Sequence, residues 1–161
     1  MTAVLAAHNL DKRYRLHDQE VAALRGVTLT IESGEYVAIV GPSGSGKSTL
    51  LTLLGGLDTP TSGDVEILGT SLGALDDRRL TRLRLERIGF VFQRFHLLPV
   101  LTARENIELP QAERGVGSAE RRARTDELLA YVALGGRANH RATQLSGGEM
   151  QRVAIARALA N

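Results

Sequence analysis

The sequence predicts an α/β fold. Three observations point to it. An apolar run, Tyr36–Val40, leads through a glycine loop into a leucine-rich helical stretch. Before it, Val27, Leu29 and Ile31 alternate with Thr28, Thr30 and Glu32, the period-two pattern of a half-buried strand. After residue 94, helical periodicity dominates to the end of the chain.

The opening residues read as strands, closed by a turn at Ser33-Gly34. Tyr36–Val40 is apolar at every position, as a strand covered on both faces requires. Leu50, Leu51, Leu53, Leu54 and Leu57 give the next helix a wide apolar face, and Gly55-Gly56 and Thr59-Pro60 end it. Asp64–Leu68 reads as a short strand, 76–87 as an arginine-rich helix and Ile88–Phe92 as a second fully covered strand. Residues 99–117 are mixed, with breakers at Pro110, Gly115 and Gly117. A helix near 118–134 turns Ala123, Leu128, Leu129 and Val132 inward, and a last helix starts at Ser146. The expected organisation is a β part and core over 1–93, a mainly helical subdomain over 94–145, and a final helix over 146–161.

Composition narrows the function. The 161 residues carry 20 basic and 18 acidic side chains, a net charge of +2, which predicts no nucleic-acid partner. Cysteine is absent, which excludes disulfides and thiolate metal sites. No apolar run is long enough for a membrane span, and the N-terminus does not read as a signal peptide, so the expected compartment is the cytoplasm. Lys12 and Lys47 are the only lysines, and one of them lies inside a glycine loop.

That loop, Gly41-Pro42-Ser43-Gly44-Ser45-Gly46-Lys47-Ser48, fits G-x-x-x-x-G-K-[ST]. Glycines 41, 44 and 46 allow backbone angles closed to other residues, so successive N–H groups can point at one anion. The following helix adds the positive end of its dipole. Lys47 suits the β- and γ-phosphates, the Ser48 hydroxyl a Mg²⁺ ion, and Thr49 the α-phosphate side.

Ser146-Gly147-Gly148-Glu149 is a capping box, S-x-x-E. Capping explains Ser146 and Glu149 but not two glycines in a first helical turn, each costing about 1 kcal/mol against alanine. Close approach of a phosphate to a helix start does explain them.

These strings together resemble the nucleotide-binding domain of ABC transporters, from about Leu10 onward. GPSGSGKST matches the Walker A loop, and LSGGEMQRVAIARAL the signature motif and its helix. Gln93, ending IGFVFQ, stands where the family has its Q-loop glutamine, and Tyr14 where it has an aromatic that stacks on adenine. FQRFHLLPVLTARENIELP resembles the subgroup of lipoprotein-release, macrolide-export and cell-division ATPases, with one departure: Met150 replaces the usual glutamine.

The resemblance implies a P-loop NTPase (RecA-like) core with an N-terminal antiparallel β part and an inserted helical subdomain. It implies ATP and Mg²⁺ as ligands, with Ser48 and Gln93 on the metal. It also implies a head-to-tail dimer in which Ser146, Gly147, Gly148 and Glu149 of one subunit face the nucleotide held by the other. A transmembrane permease is the further partner, placing the protein on the inner face of the cytoplasmic membrane. Apolar residues over 97–110 suit either that partner or the core. Tyr14 also suits plain packing on its sheet, and the five arginines over 78–87 suit a solvated helix face interrupted by Asp76, Asp77 and Glu86. The family's hydrolytic Asp-Glu pair and later histidine have no counterpart here. No catalytic residue is therefore assigned, the general base is expected beyond Asn161, and the expectation is a C-terminally incomplete domain without turnover. The alternative is a soluble ABC-type ATPase acting on DNA or ribosomes, disfavoured by the short gap between the motifs and the absence of sustained heptads.

Overall fold

The computed structural model describes residues 3–16 and 19–161; Met1, Thr2, His17 and Asp18 lie outside them. The chain divides into two compact units, 1–81 and 82–161.

In the first unit, β1 (Ala3–Leu16) and β2 (Gln19–Glu32) pair antiparallel along most of their length. Beyond β1 lie β3 (Ser62–Ile67) and β4 (Thr70–Ser71), giving the all-antiparallel order β2-β1-β3-β4. The alternation at Val27–Glu32 therefore falls in β2. Its pairing with β1 slips by one residue where Lys12 opposes Leu24 and Arg13 opposes Ala22, leaving Ala23 as a bulge. Helix α1 (Lys47–Leu54) buries Leu50, Leu53 and Leu54 and touches both long strands. Leu51 and Leu57, expected on the same apolar face, are exposed. Ala7, Leu10, Leu24, Val65, Ile67 and Leu72 are buried in the same unit.

The second unit is helical. After α2 (Asp77–Arg87), which buries none of its residues, come α3 (Ala103–Glu113), α4 (Ser118–Tyr131) and α5 (Gly147–Ala158). Ile107 of α3, Leu128 and Leu129 of α4, and Val153 and Ala156 of α5 meet in one cluster. Ala123 is exposed, contrary to expectation, and Thr125 takes the inward place, its hydroxyl accepting from buried Gln111 Nε2 at 3.0 Å.

Two expected strands are not formed. Residues 36–40 and 88–92 have no strand assignment, and Tyr36, Val37, Val40 and Val91 are exposed. A strand apolar on both faces belongs in the middle of a sheet and needs ladder partners for its N–H and C=O groups. Among the described residues no segment pairs with either run.

Candidate functional site

The loop Gly41–Gly46 leads directly into α1. Gly44 and Gly46 have φ of 79° and 89°, in the left-handed region that side chains disfavour. Gly46 is doubly constrained: a Cβ there would collide with the carbonyl oxygen of Ala23 and lie 3.0 Å from Leu24 Cδ2. The bulge in β2 brings that carbonyl against the loop, so strand irregularity and glycine requirement are one feature.

The start of α1 lacks compensation. Gly46 offers no side-chain cap, and no acid occupies the first turn. Helices α3 and α5 each begin with a complete capping box, and α4 carries Glu120 in its first turn. Lys47 Nζ donates to the carbonyls of Gly41 (2.8 Å) and Pro42 (2.7 Å), which hold a positive charge within the loop. An uncapped helix start beside a cation that, among the described residues, is held by neutral carbonyls fits an anionic ligand. Exposed Ser48 and half-buried Thr49 follow in the same turn.

Tyr14, on β1, donates its hydroxyl proton to Asp58 Oδ2 at 3.1 Å, and Lys12 Nζ lies 5.0 Å from the ring centroid. Lys12 hydrogen-bonds Asp58, 2.8 Å away, and this contact holds the Asp58 carboxyl below its ordinary range. Neither Lys12 nor Asp58 was legible as a functional residue from sequence. The only signal was that Lys12 is one of two lysines.

In the second unit Gln93 is exposed in an irregular loop and lines a cleft of about 450 Å³ with Phe95, His96, Leu97, Leu145 and Met150. His96 is in the left-handed region (φ 48°), and its ring stacks on Phe92 at 4.9 Å. The loop is tied to α5 by Arg157, which donates to the carbonyls of Phe95 (2.9 Å) and His96 (2.6 Å). Burial lowers the pKa of Arg157 from its ordinary value.

At the start of α5, the Glu149 amide donates to Ser146 Oγ (3.3 Å) and the Ser146 amide to Glu149 Oε2 (2.8 Å). The Ser146 hydrogen bonds, backbone first, lower the Glu149 pKa, and Arg137 Nε at 3.2 Å adds to the effect. Gly147 and Gly148 do not have positive φ. A Cβ on Gly147 would meet nothing within 4 Å, and one on Gly148 only Arg152 at 4.0 Å. Neither backbone strain nor internal packing demands these glycines, which leave the helix start bare. Walker-loop residues and Tyr14 thus belong to the first unit, and Gln93 and residues 146–149 to the second.

Residues 24–161 match the family model described as "ABC transporter". An uncharacterised ABC transporter ATP-binding protein of Thermotoga maritima is 55% identical over 161 residues, all of this chain and 69% of that protein. The lipoprotein-releasing system ATP-binding protein LolD of Alcanivorax borkumensis is 54% identical over 98% of this chain and 69% of its own length. The macrolide export ATP-binding/permease protein MacB of Salmonella typhimurium is 48% identical over all of this chain, which spans 25% of it. Among solved structures, the dimeric ATP-binding cassette MJ0796 bound to ADP and Pi superposes with a TM-score of 0.92 at 50% identity, over 98% of this chain and 69% of that one. With a family model matching 24–161 and relatives above 50% identity along nearly its whole length, the chain belongs to the ABC transporter family.

Proposed function

We propose that this chain is the ATP-binding part of an ABC transporter and holds nucleotide through Gly41–Thr49. The observation that carries this is the bare, uncapped start of α1 with Lys47 Nζ folded onto the loop's own carbonyls. A triphosphate entering the loop gives the ammonium a far stronger partner than two neutral carbonyls, and the N–H groups at the helix start a charged acceptor. Tyr14 supplies a face for the adenine. Mg²⁺, bound with the nucleotide, would neutralise phosphate charge, and the Ser48 hydroxyl is the ligand the phosphate loop offers it.

MJ0796 is a dimer in its structure, and the bare start of α5 suits the same arrangement here. In that reading Ser146, Gly147 and Gly148 meet the triphosphate held by a second subunit, and Glu149 keeps the turn in shape. Nucleotide then lies between two copies, and its conversion to ADP and phosphate lets them part. The cleft beside Gln93 is the surface we assign to a transmembrane subunit, because its lining is largely apolar and Arg157 ties its rim to the signature helix. Working there places the protein on the inner face of the cytoplasmic membrane. LolD and MacB are named for lipoprotein release and macrolide export, which favours lipophilic cargo. We assign residues 1–93 to the β part and core, 94–145 to the helical subdomain and 146–161 to the signature helix.

Hydrolysis belongs to the family. Residues 1–161 contain no apolar strand ending in an acidic pair, so they are expected to bind nucleotide without measurable turnover. Equilibrium titration with ATP and Mg²⁺ tests the central reading. Lys47→Met is expected to weaken binding at least tenfold while leaving the melting curve unchanged. Equal affinity of the two proteins would overturn it.

A further inference from the structure

We propose that Lys12 and Asp58 are positioning residues that lock the Tyr14 ring in place for a nucleotide base, a proposal that rests on the nucleotide-site reading above. The geometry forms a closed set within the first unit. Asp58 lies four residues past the end of α1, the helix that begins at the phosphate loop. Its carboxylate accepts the Tyr14 hydroxyl at 3.1 Å, the Lys12 ammonium at 2.8 Å and the Thr59 amide at 2.7 Å. The Lys12 ammonium also donates to the Thr59 carbonyl at 2.7 Å and stands 5.0 Å from the Tyr14 centroid. Lys12 is largely buried, its side chain 12% exposed, whereas the Tyr14 residue remains 38% exposed. The polar end of the ring is therefore fixed, a cation sits near the ring, and part of its surface stays open.

A phenol free to turn about χ1 and χ2 loses that freedom when a base stacks on it. Here the loss is met on folding, by hydrogen bonds that stack nothing themselves. The same carboxylate ties β1 to the loop following α1, with the Thr61 amide bonded to the Asp11 carbonyl (2.9 Å) and the Arg13 amide to Thr61 Oγ1 (3.0 Å) as further stitches. The base platform and the phosphate-binding helix are thereby held in one register. The base gains from this arrangement, whereas a bare triphosphate does not.

The test compares ATP with inorganic tripolyphosphate, each with Mg²⁺, on the full chain and on Asp58→Asn, Asp58→Ala, Lys12→Met and Tyr14→Ala, with circular dichroism melts alongside. Asp58→Ala and Lys12→Met are expected to weaken ATP about three- to tenfold, the worth of about one immobilised side chain, and to leave tripolyphosphate unchanged. Asp58→Asn, which can still accept the Tyr14 hydroxyl, should lie between. Tyr14→Ala should lose at least as much of the ATP preference. If Tyr14→Ala keeps the ATP preference, the base-platform reading itself is wrong. If Tyr14→Ala loses it while Asp58→Ala and Lys12→Met do not, the positioning proposal fails alone. An equal fall in both ligands would mark Lys12 and Asp58 as merely structural and overturn it too.

Discussion

Arg157→Met should free the loop that carries Gln93. Arg157 reaches from the last turn of α5 to two successive carbonyls, Phe95 at 2.9 Å and His96 at 2.6 Å. A hydrogen bond from a charged donor contributes about 1.5–3 kcal/mol when desolvated, and the more exposed His96 bond belongs below that range. Counting about 2 for Phe95 and about 1 for His96 gives a loss of about 3 kcal/mol. Methionine keeps much of the aliphatic stem, so packing loss is small. Without the clamp nothing in α5 opposes release of His96 from its left-handed conformation (φ 48°). The Leu98 amide, bonded to Asn106 Oδ1 at 2.8 Å, is the reporter of loop opening. Native-state hydrogen exchange reads this directly. Protection of the Leu98 amide should fall by up to about a hundredfold, following the roughly tenfold-per-1.4 kcal/mol relation, while amides in the middle of α4 keep theirs. Arg157→Lys offers one compact donor group in place of a fork and should recover about half of the effect on a logarithmic scale. Unchanged protection at Leu98, or an equal drop in α4, would refute the clamp.

Gly46→Ala should destabilise the first unit by at least about 2 kcal/mol, since φ of 89° strains any Cβ and the Ala23 carbonyl blocks the space; urea unfolding checks it. Gly147→Ala should do the opposite, raising stability by up to about 1 kcal/mol because nothing lies within 4 Å, yet it should abolish ATP-dependent pairing in sedimentation. Glu105 and Glu149 both have carboxyl pKa values lowered from 4.5, first by the backbone amides of Thr102 and Ser146. Their contribution is therefore complete above about pH 4.5 and lost as pH falls through the lower folded values. Glu105→Gln with Glu149→Gln should flatten the acid limb of the stability–pH curve between pH 5 and 3.

Legibility from sequence tracked how local each cause was. The starts of α1 and α5 were readable because a glycine loop and a capping box are short-range devices. Helix α3 carries the same box, Thr102 with Glu105, but reading 99–117 as mixed, with a breaker at Pro110, passes over it. The helix accommodates Pro110 within its last turn and ends three residues later at Glu113. Apolar runs at 36–40 and 88–92 read as strands and form none, because a strand exists only with a neighbour and no pattern inside five residues specifies one. Ala123 was placed inward by spacing alone, whereas Gln111 selects Thr125 through a hydrogen bond fourteen residues away.

The candidate site divides along the same line. Gly147 and Gly148 stand out in the sequence because nothing inside the chain explains them, and the structure strengthens that by leaving their surroundings empty. Residues that face an external ligand break local rules and are conspicuous for it. Lys12 and Asp58 break none. A lysine on a strand and an aspartate in a turn are each ordinary, and their meaning comes only from the 46 positions that the fold closes between them. Arg157 is equally plain in a helix until its partners 61 and 62 residues earlier are known. Motif reading therefore finds the groups we assign to nucleotide and passes over those we assign to holding them still. Substitutions at Lys12, Asp58 and Arg157 are the ones that separate binding the ligand from holding the groups that bind it.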